Sequence, residues 1–240
     1  MIANVIDVII VLALIMGGIV GYKSGFFKSS IEAIGAIGAI ILAFYLKNFI
    51  APVLFKVCPF FNYGGPFSGL VTLNIFLYEA LAFIIVYILL MVLVKVIVKL
   101  TEKFEKVLDF TVILGIPSKI FGALFGVIET YCVIFVLLFV FAQFSISAVV
   151  LHNSHLTNPI LSYTPILSHI TSDSYQAFKE VYNMKKKYKK TGDMDAYNLE
   201  SLDVMLKYEI VTPEDVRDLQ DRKKLNIKNM DSVVKKYEVQ

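Results

Sequence analysis

Residues 70–94 read LVTLNIFLYEALAFIIVYILLMVLV, twenty-five positions with a single charged side chain, Glu79. An α-helix rises 1.5 Å per residue, so about 20 apolar residues cross the hydrocarbon layer of a bilayer. Soluble helices keep a polar face, and this run has none. Working outward, three more stretches have the same character, near residues 2–21, 30–46 and 120–142. The second is the shortest and borrows Ser29 at one end and residues 47–49 at the other. The expected fold is all-α: a polytopic membrane protein with four transmembrane helices and a small helical C-terminal tail. It divides into a transmembrane domain at 1–146, a linker at 147–171 and a polar helical tail at 172–240.

Composition points the same way. Of the 240 residues 57% are hydrophobic and 18% charged, against about one quarter charged in an ordinary soluble domain, and the mean hydropathy is +0.70. The charges are unevenly placed: residues 1–150 hold nine of the 23 Lys/Arg and seven of the 20 Asp/Glu, while the last 70 residues hold 14 and 13. A single soluble globule and a disordered chain are both excluded. The net charge of +3 gives no reason to expect nucleic acid as a partner.

The first span is expected to be a retained helix rather than a cleaved leader. No Lys or Arg precedes its apolar run, Asp7 lies inside it, and it ends in Gly21-Tyr22-Lys23-Ser24-Gly25 instead of a small-x-small cleavage site. Basic residues near the helix ends set orientation. Loop 1 carries Lys23 and Lys28, and loop 3 is flanked by Lys95, Lys99, Lys103, Lys106 and Lys119; the other side has Lys47 and Lys56. Seven against two places loops 1 and 3 in the cytoplasm and both termini outside. The run Lys185-Lys186-Lys187-Tyr188-Lys189-Lys190 would favour a cytoplasmic tail, but it lies beyond the ~15–20 residues over which charge directs topology.

Lipid offers no hydrophobic force to join such helices, so small residues must let them approach. Ala13, Gly17, Gly21 and Gly25 recur every fourth residue in span 1, which makes one flat stripe. Gly35, Ala39 and Ala43 do so in span 2, and Ser118, Gly122, Gly126 and Thr130 in span 4. The ladders could join helices of one chain or of two copies.

Asn4-x-x-Asp7 opening an apolar helix, then Gly21-Tyr22-Lys23-x-Gly25-Phe26, then a Gly/Ala-rich second helix, resembles the CvpA (colicin V production protein) family. Leu108-Asp109, Gly115 and residues 119–126 (KIFGALFG) are similar to the stretch that leads that family into its fourth helix. The likeness covers about residues 1–145. It implies a small bacterial inner-membrane protein linked to toxin production or export and to envelope homeostasis, with no enzymatic activity, catalytic residues or cofactor to carry over. Some relatives append an extracytoplasmic protease domain; this tail is too short for one and carries no protease motif. Where many relatives have a basic residue after the second glycine of the fourth helix, this chain has Glu129 nearby.

Charged groups inside a bilayer cost several kcal/mol and draw attention as candidate sites. Glu79 and Glu129 are expected at nearly the same depth, close to the midplane, with no basic residue at that level. Two readings are open: a proton- or cation-handling site, with Asn74, Tyr78, Thr130 and Tyr131 as hydrogen-bond partners, or a carboxyl pair joining two helices. Asp7, nearer an interface, either fixes the end of helix 1, pairs with Lys56, or is solvated.

Cys58 and Cys132 form no CxxC pair and no framework. His152-x-x-His155 lacks a third ligand at metal spacing, so no metal is expected. Loop 2 (residues 51–69) is rich in Pro, Gly and aromatics and is expected to break any helix. In the tail, Tyr175, Phe178 and Tyr182 share one helical face ending before Gly192. Leu199, Leu202, Val204, Met205 and Leu206 form a second apolar cluster. Thr212-Pro213-Glu214-Asp215 starts a third helix by N-cap and first-turn chemistry, and a last helix begins near Asp231-Ser232. Such a small bundle needs something to dock on: the membrane body, a partner, or another copy. The sequence thus predicts a non-enzymatic membrane protein whose partners are membrane lipid and either its own copies or other membrane and export proteins; the alternative is a small proton- or cation-coupled transporter or channel.

Overall fold

The computed structural model describes residues 2–64, 68–108, 115–142 and 154–238. Pro66, Asp109 and His152, and the side chains of Asn4, Lys103, Lys106, Lys186, Lys189 and Lys190, lie outside what is described. The described chain is helical: α1 (Ile2–Ser24), α2 (Phe26–Val57), α3 (Leu73–Leu108) and α4 (Gly115–Ala142), then α5 (Thr157–Tyr163), α6 (Leu167–Thr191), α7 (Met194–Lys207), α8 (Pro213–Asp221) and α9 (Met230–Glu238). The first four are long and apolar enough to cross a membrane. Their outward faces, such as Val8, Leu12, Ile15 and Ile19 on α1, are apolar and exposed, as a lipid-facing surface requires.

The four long helices form a row. α4 packs along α1 on one side and α2 on the other, and α3 covers the far side of α2. A single residue, Gly25, turns the chain from α1 into α2 at φ 79°, a conformation that costs any residue with a Cβ. The amide of Phe26 donates to the Ser118 hydroxyl at 3.1 Å, tying the start of α2 to the start of α4.

The second span is corrected. α2 does not end near residue 46 but runs through Pro52 to Val57. Proline removes one backbone hydrogen bond and disfavours a helix interior. Here Ala51 and Phe55 are buried in the core shared with the tail, and that packing outweighs the loss. The Lys224 ammonium, from beyond α8, donates to the carbonyls of Phe55, Lys56 and Cys58 at 2.7, 2.7 and 2.8 Å. A cation on the last carbonyls also complements the helix dipole.

The tail is seated on this end of the body. Phe55, Leu70, Phe76 and Tyr78 form one continuous core with Phe178, Val181, Tyr197, Leu202, Met205 and Val216. Residues 154–170, expected as part of a linker, are instead built from α5 and the first turn of α6, with Ile160, Leu161 and Leu167 buried among residues of α1 and α4. Local chemistry sets the remaining boundaries. Gly192 ends α6 at φ 70°, Asp193 caps α7 by accepting from Ala196 N, and Thr212 caps α8 with Pro213 in its first turn.

Candidate functional site among the polar groups of the membrane body

The two stretches that carry the family likeness meet in space. Gly21 of α1 and Gly122 of α4 are so close that a methyl on either would overlap the other's carbonyl oxygen; Gly17, Gly126 and Thr130 continue the contact. The ladders of spans 1 and 4 therefore face each other within one chain. Around them the Lys119 ammonium lies 5.8 Å from the Tyr22 ring centroid, and the Phe26 ring packs edge-on to Phe121 and Phe125. Lys23 is exposed at the end of α1, and Ala13 is partly buried against the body core. In α2, Ala39 and Ala43 are buried, and a methyl on Gly35 would overlap Val94 of α3.

The acids are not arranged as their spacing suggests. Glu79 is bonded to the ammonium of Lys47, with both residues buried, at 6% and 5% exposure. Lys47 reads as a helix end in the sequence, but the longer α2 carries it ten residues inside and brings its ammonium 4.9 Å from the Phe44 ring centroid. Glu79 lies six residues into α3, about 9 Å from its start. A crevice around the pair is lined by Phe76 and Phe139 of the body and Ser174 and Ile210 of the tail.

Glu129 is elsewhere. It sits near the middle of α4, ten residues from Phe139, or about 15 Å along the axis, and the expected pair with Glu79 does not form. Its electrostatic neighbours are Glu32 and Lys28 of α2 and Lys95 of α3. Among the described residues the buried hydroxyl of Tyr87 has no hydrogen-bond partner, and Cys132 and Glu129 of α4 are its titratable neighbours.

Asp7 does not pair with Lys56, which lies 4.0 Å from Asp218. Its carboxylate accepts from the Ser154 hydroxyl and from the amides of His155 and Leu156, both at 3.2 Å. It thereby supplies partners to the donors that a helix start leaves open. The other expected partners of the acids are engaged separately. Asn74 bonds both backbone groups of Phe61, the Tyr78 hydroxyl donates to the Pro59 carbonyl, and Tyr131 meets Thr164. His155 and His169 are exposed.

Sequence reasoning missed Asn198. Its Oδ1 accepts from the amides of Val71 and Thr72 at 2.8 and 3.3 Å, and its Nδ2 donates to the carbonyls of Gly69 and Met194. One amide side chain thus fastens α7 to the start of α3. Its signal was a lone Asn beside the apolar cluster that begins at Leu199. Lys224 gave no such signal. Beside this joint, burial and the neighbouring Tyr78 phenol push the Tyr63 phenol up to about 12. On the tail, burial works to raise Glu200, but hydrogen bonds from Lys187 and Tyr188 outweigh it and hold the carboxyl below its ordinary value.

The family model described as colicin V production protein matches residues 6–165. The chain belongs to the colicin V production protein family. It is also similar to an uncharacterized transmembrane protein, YshB, of Bacillus subtilis (strain 168), with 29% identity over 183 residues covering 72% of this chain and 98% of that protein. No solved structure matches. This member of the colicin V production family is an integral membrane protein with four candidate membrane-crossing helices. The family match ends at Pro165, in the turn between α5 and α6, so helices α6 to α9 lie beyond it.

Proposed function

We propose that this chain is a non-catalytic protein of the bacterial inner membrane that supports toxin production or export, or envelope homeostasis, with both termini on the extracytoplasmic side. The observation that carries this reading is family membership across the body. It is supported by the use made of two acids: Asp7 holds the start of α5 and Glu79 holds Lys47. A protein of this kind acts through others, and its tail-covered end is the face it offers to membrane and export proteins. The test is deletion of the gene in a toxin-secreting host, with secreted toxin and envelope permeability as readouts, and crosslinking from exposed tail positions. Loss of secretion or a leaky envelope, restored by the intact chain, is expected. An unchanged host with no crosslinked partner overturns the reading.

A second reading, proton or cation movement, rests on Glu129 and the buried Tyr87 hydroxyl near it, which has no partner among the described residues. Glu129→Gln in sealed vesicles separates the two: flux that is present and falls in the variant favours transport, and absence of flux in the parent favours the first reading.

A further inference from the structure

Residues 154–175 trace a descent and a return beside the body. α1 and α4 run antiparallel, with Gly17 against Gly126 and Gly21 against Gly122, which sets Asp7 near the outer end of α4. Ser154 to Leu156 are fastened to Asp7. Ten residues after Ser154, the Thr164 hydroxyl meets the Tyr131 hydroxyl at 2.6 Å. Tyr131 lies eleven residues before Ala142, the last residue of α4, or about 16 Å along the axis. The seven residues of α5 span about 10 Å, which matches the drop from the level of Asp7 to that of Tyr131. From Leu167 the chain climbs again. Ser174 reaches the crevice of Lys47, Glu79 and Phe139, and the Phe178 ring lies 5.6 Å from that of Phe76 at the start of α3.

We infer that residues 154–175 are a re-entrant helical hairpin that enters one leaflet and turns at Thr164-Pro165-Ile166, with Tyr163 and Ile166 lying against lipid acyl chains. Tyr163 is 80% and Ile166 61% exposed, on a turn at the depth of Tyr131. At about the same level α4 exposes the apolar side chains Val133 and Leu137, so the medium around the hairpin's outer face is the one that surrounds α4 at that depth. Hydrocarbon tolerates a helix break only where the freed backbone groups find partners in protein. Among the described residues the turn supplies several of them, although not for the amides of Thr164 and Ile166. The Thr164 hydroxyl donates to the Ile160 carbonyl, and the Ser168 hydroxyl and amide donate to the Thr164 carbonyl at 2.6 and 3.0 Å. The carbonyls of Pro165 and Ile166 accept from Leu167 N and Ile170 N, and Thr171 bonds back to Leu167. Pro159 and Pro165 have no N–H to leave bare. Ile166 stands at φ 68°, an outlier for a β-branched residue that persists only where its surroundings hold it.

The chain contains no Trp, so single-Trp variants of the full-length protein report depth directly. Ile166→Trp and Tyr163→Trp are reconstituted in phosphatidylcholine vesicles carrying bromine at shallow, middle or deep acyl positions, with Leu137→Trp as the lipid reference and Glu214→Trp as the aqueous one. The expected result is blue-shifted emission, quenched by acyl bromine as strongly as in Leu137→Trp and protected from acrylamide. Tyr163→Trp keeps the test alive if the strained position 166 rejects the larger ring. Acrylamide quenching equal to Glu214→Trp overturns the inference, as does quenching by the shallowest bromines alone, which marks a surface helix. Protection from both quenchers also overturns it, because protein then covers the face.

Discussion

Two seams hold this molecule together, and they are built from opposite materials. Between α1 and α4 the contact is backbone on backbone across Gly17, Gly21, Gly122 and Gly126. Between the tail and the body it is aromatic and aliphatic core, stitched by Asn198 and Lys224 to backbone groups of loop 2 and its flanking helices. The difference follows the solvent. In lipid, burying apolar surface gains nothing, and close packing is what remains. At the membrane surface water restores the hydrophobic effect, and helix ends, whose backbone groups lack internal partners, become the points worth binding.

The largest expected effect is at the buried ion pair beside the tail seam. Lys47→Met leaves Glu79 buried and uncompensated, which costs about 3–5 kcal/mol; adding Glu79→Met recovers most of it. Reversible unfolding in mixed micelles measures both, and a double variant no better than the single shows that the pair is held by something besides its charge. Next, Gly122→Leu drives α1 and α4 apart at a cost of about 3 kcal/mol, whereas Gly38→Leu, with no atom within 4 Å of the added Cβ, is near neutral in the same assay. Equal effects break the contrast between the seams.

On the other seam, Asn198→Ala strands the amides of Val71 and Thr72 at a cost of about 2 kcal/mol. Limited proteolysis should release the tail faster while α1 and α4 stay paired. Acid gives the smallest effect. Glu200 and Glu238 are held below their ordinary value of 4.5, Glu238 chiefly by its hydrogen bond from Arg217. A lowered carboxyl pKa stabilises the fold above the unfolded value, and that contribution disappears as pH falls through the folded one. With the intrinsic slowing of exchange in acid divided out, amide protection in α7 and α9 should therefore fall as pH drops below about 4.5, with the glycine seam unaffected.

The sequence made the seams legible to different degrees. A membrane helix declares itself by length and hydropathy, and a small-residue ladder by its spacing of four, so the body and its packing faces could be read directly. The tail helices could be read from Gly192 and Thr212-Pro213, because caps are local chemistry. What was hidden depends on contacts distant along the chain. Pro52 argues for a break, and nothing within ten residues of it tells that Phe55 packs under the tail or that Lys224 returns to cover the last carbonyls. The mistaken end of α2 then misplaced Lys47 and left Glu79 without its partner. Glu129 sits near the middle of α4, with titratable groups of α2 and α3 around it that belong to neither seam.

The grip of Lys224 on Phe55, Lys56 and Cys58 also imposes an order on biosynthesis. At roughly 5–20 residues per second, the ribosome adds that lysine on the order of ten seconds or more after the carbonyls it will bind. Until then the second helix waits in the translocating chain with its exit end unfinished, and a message cut short before codon 224 would leave it so permanently.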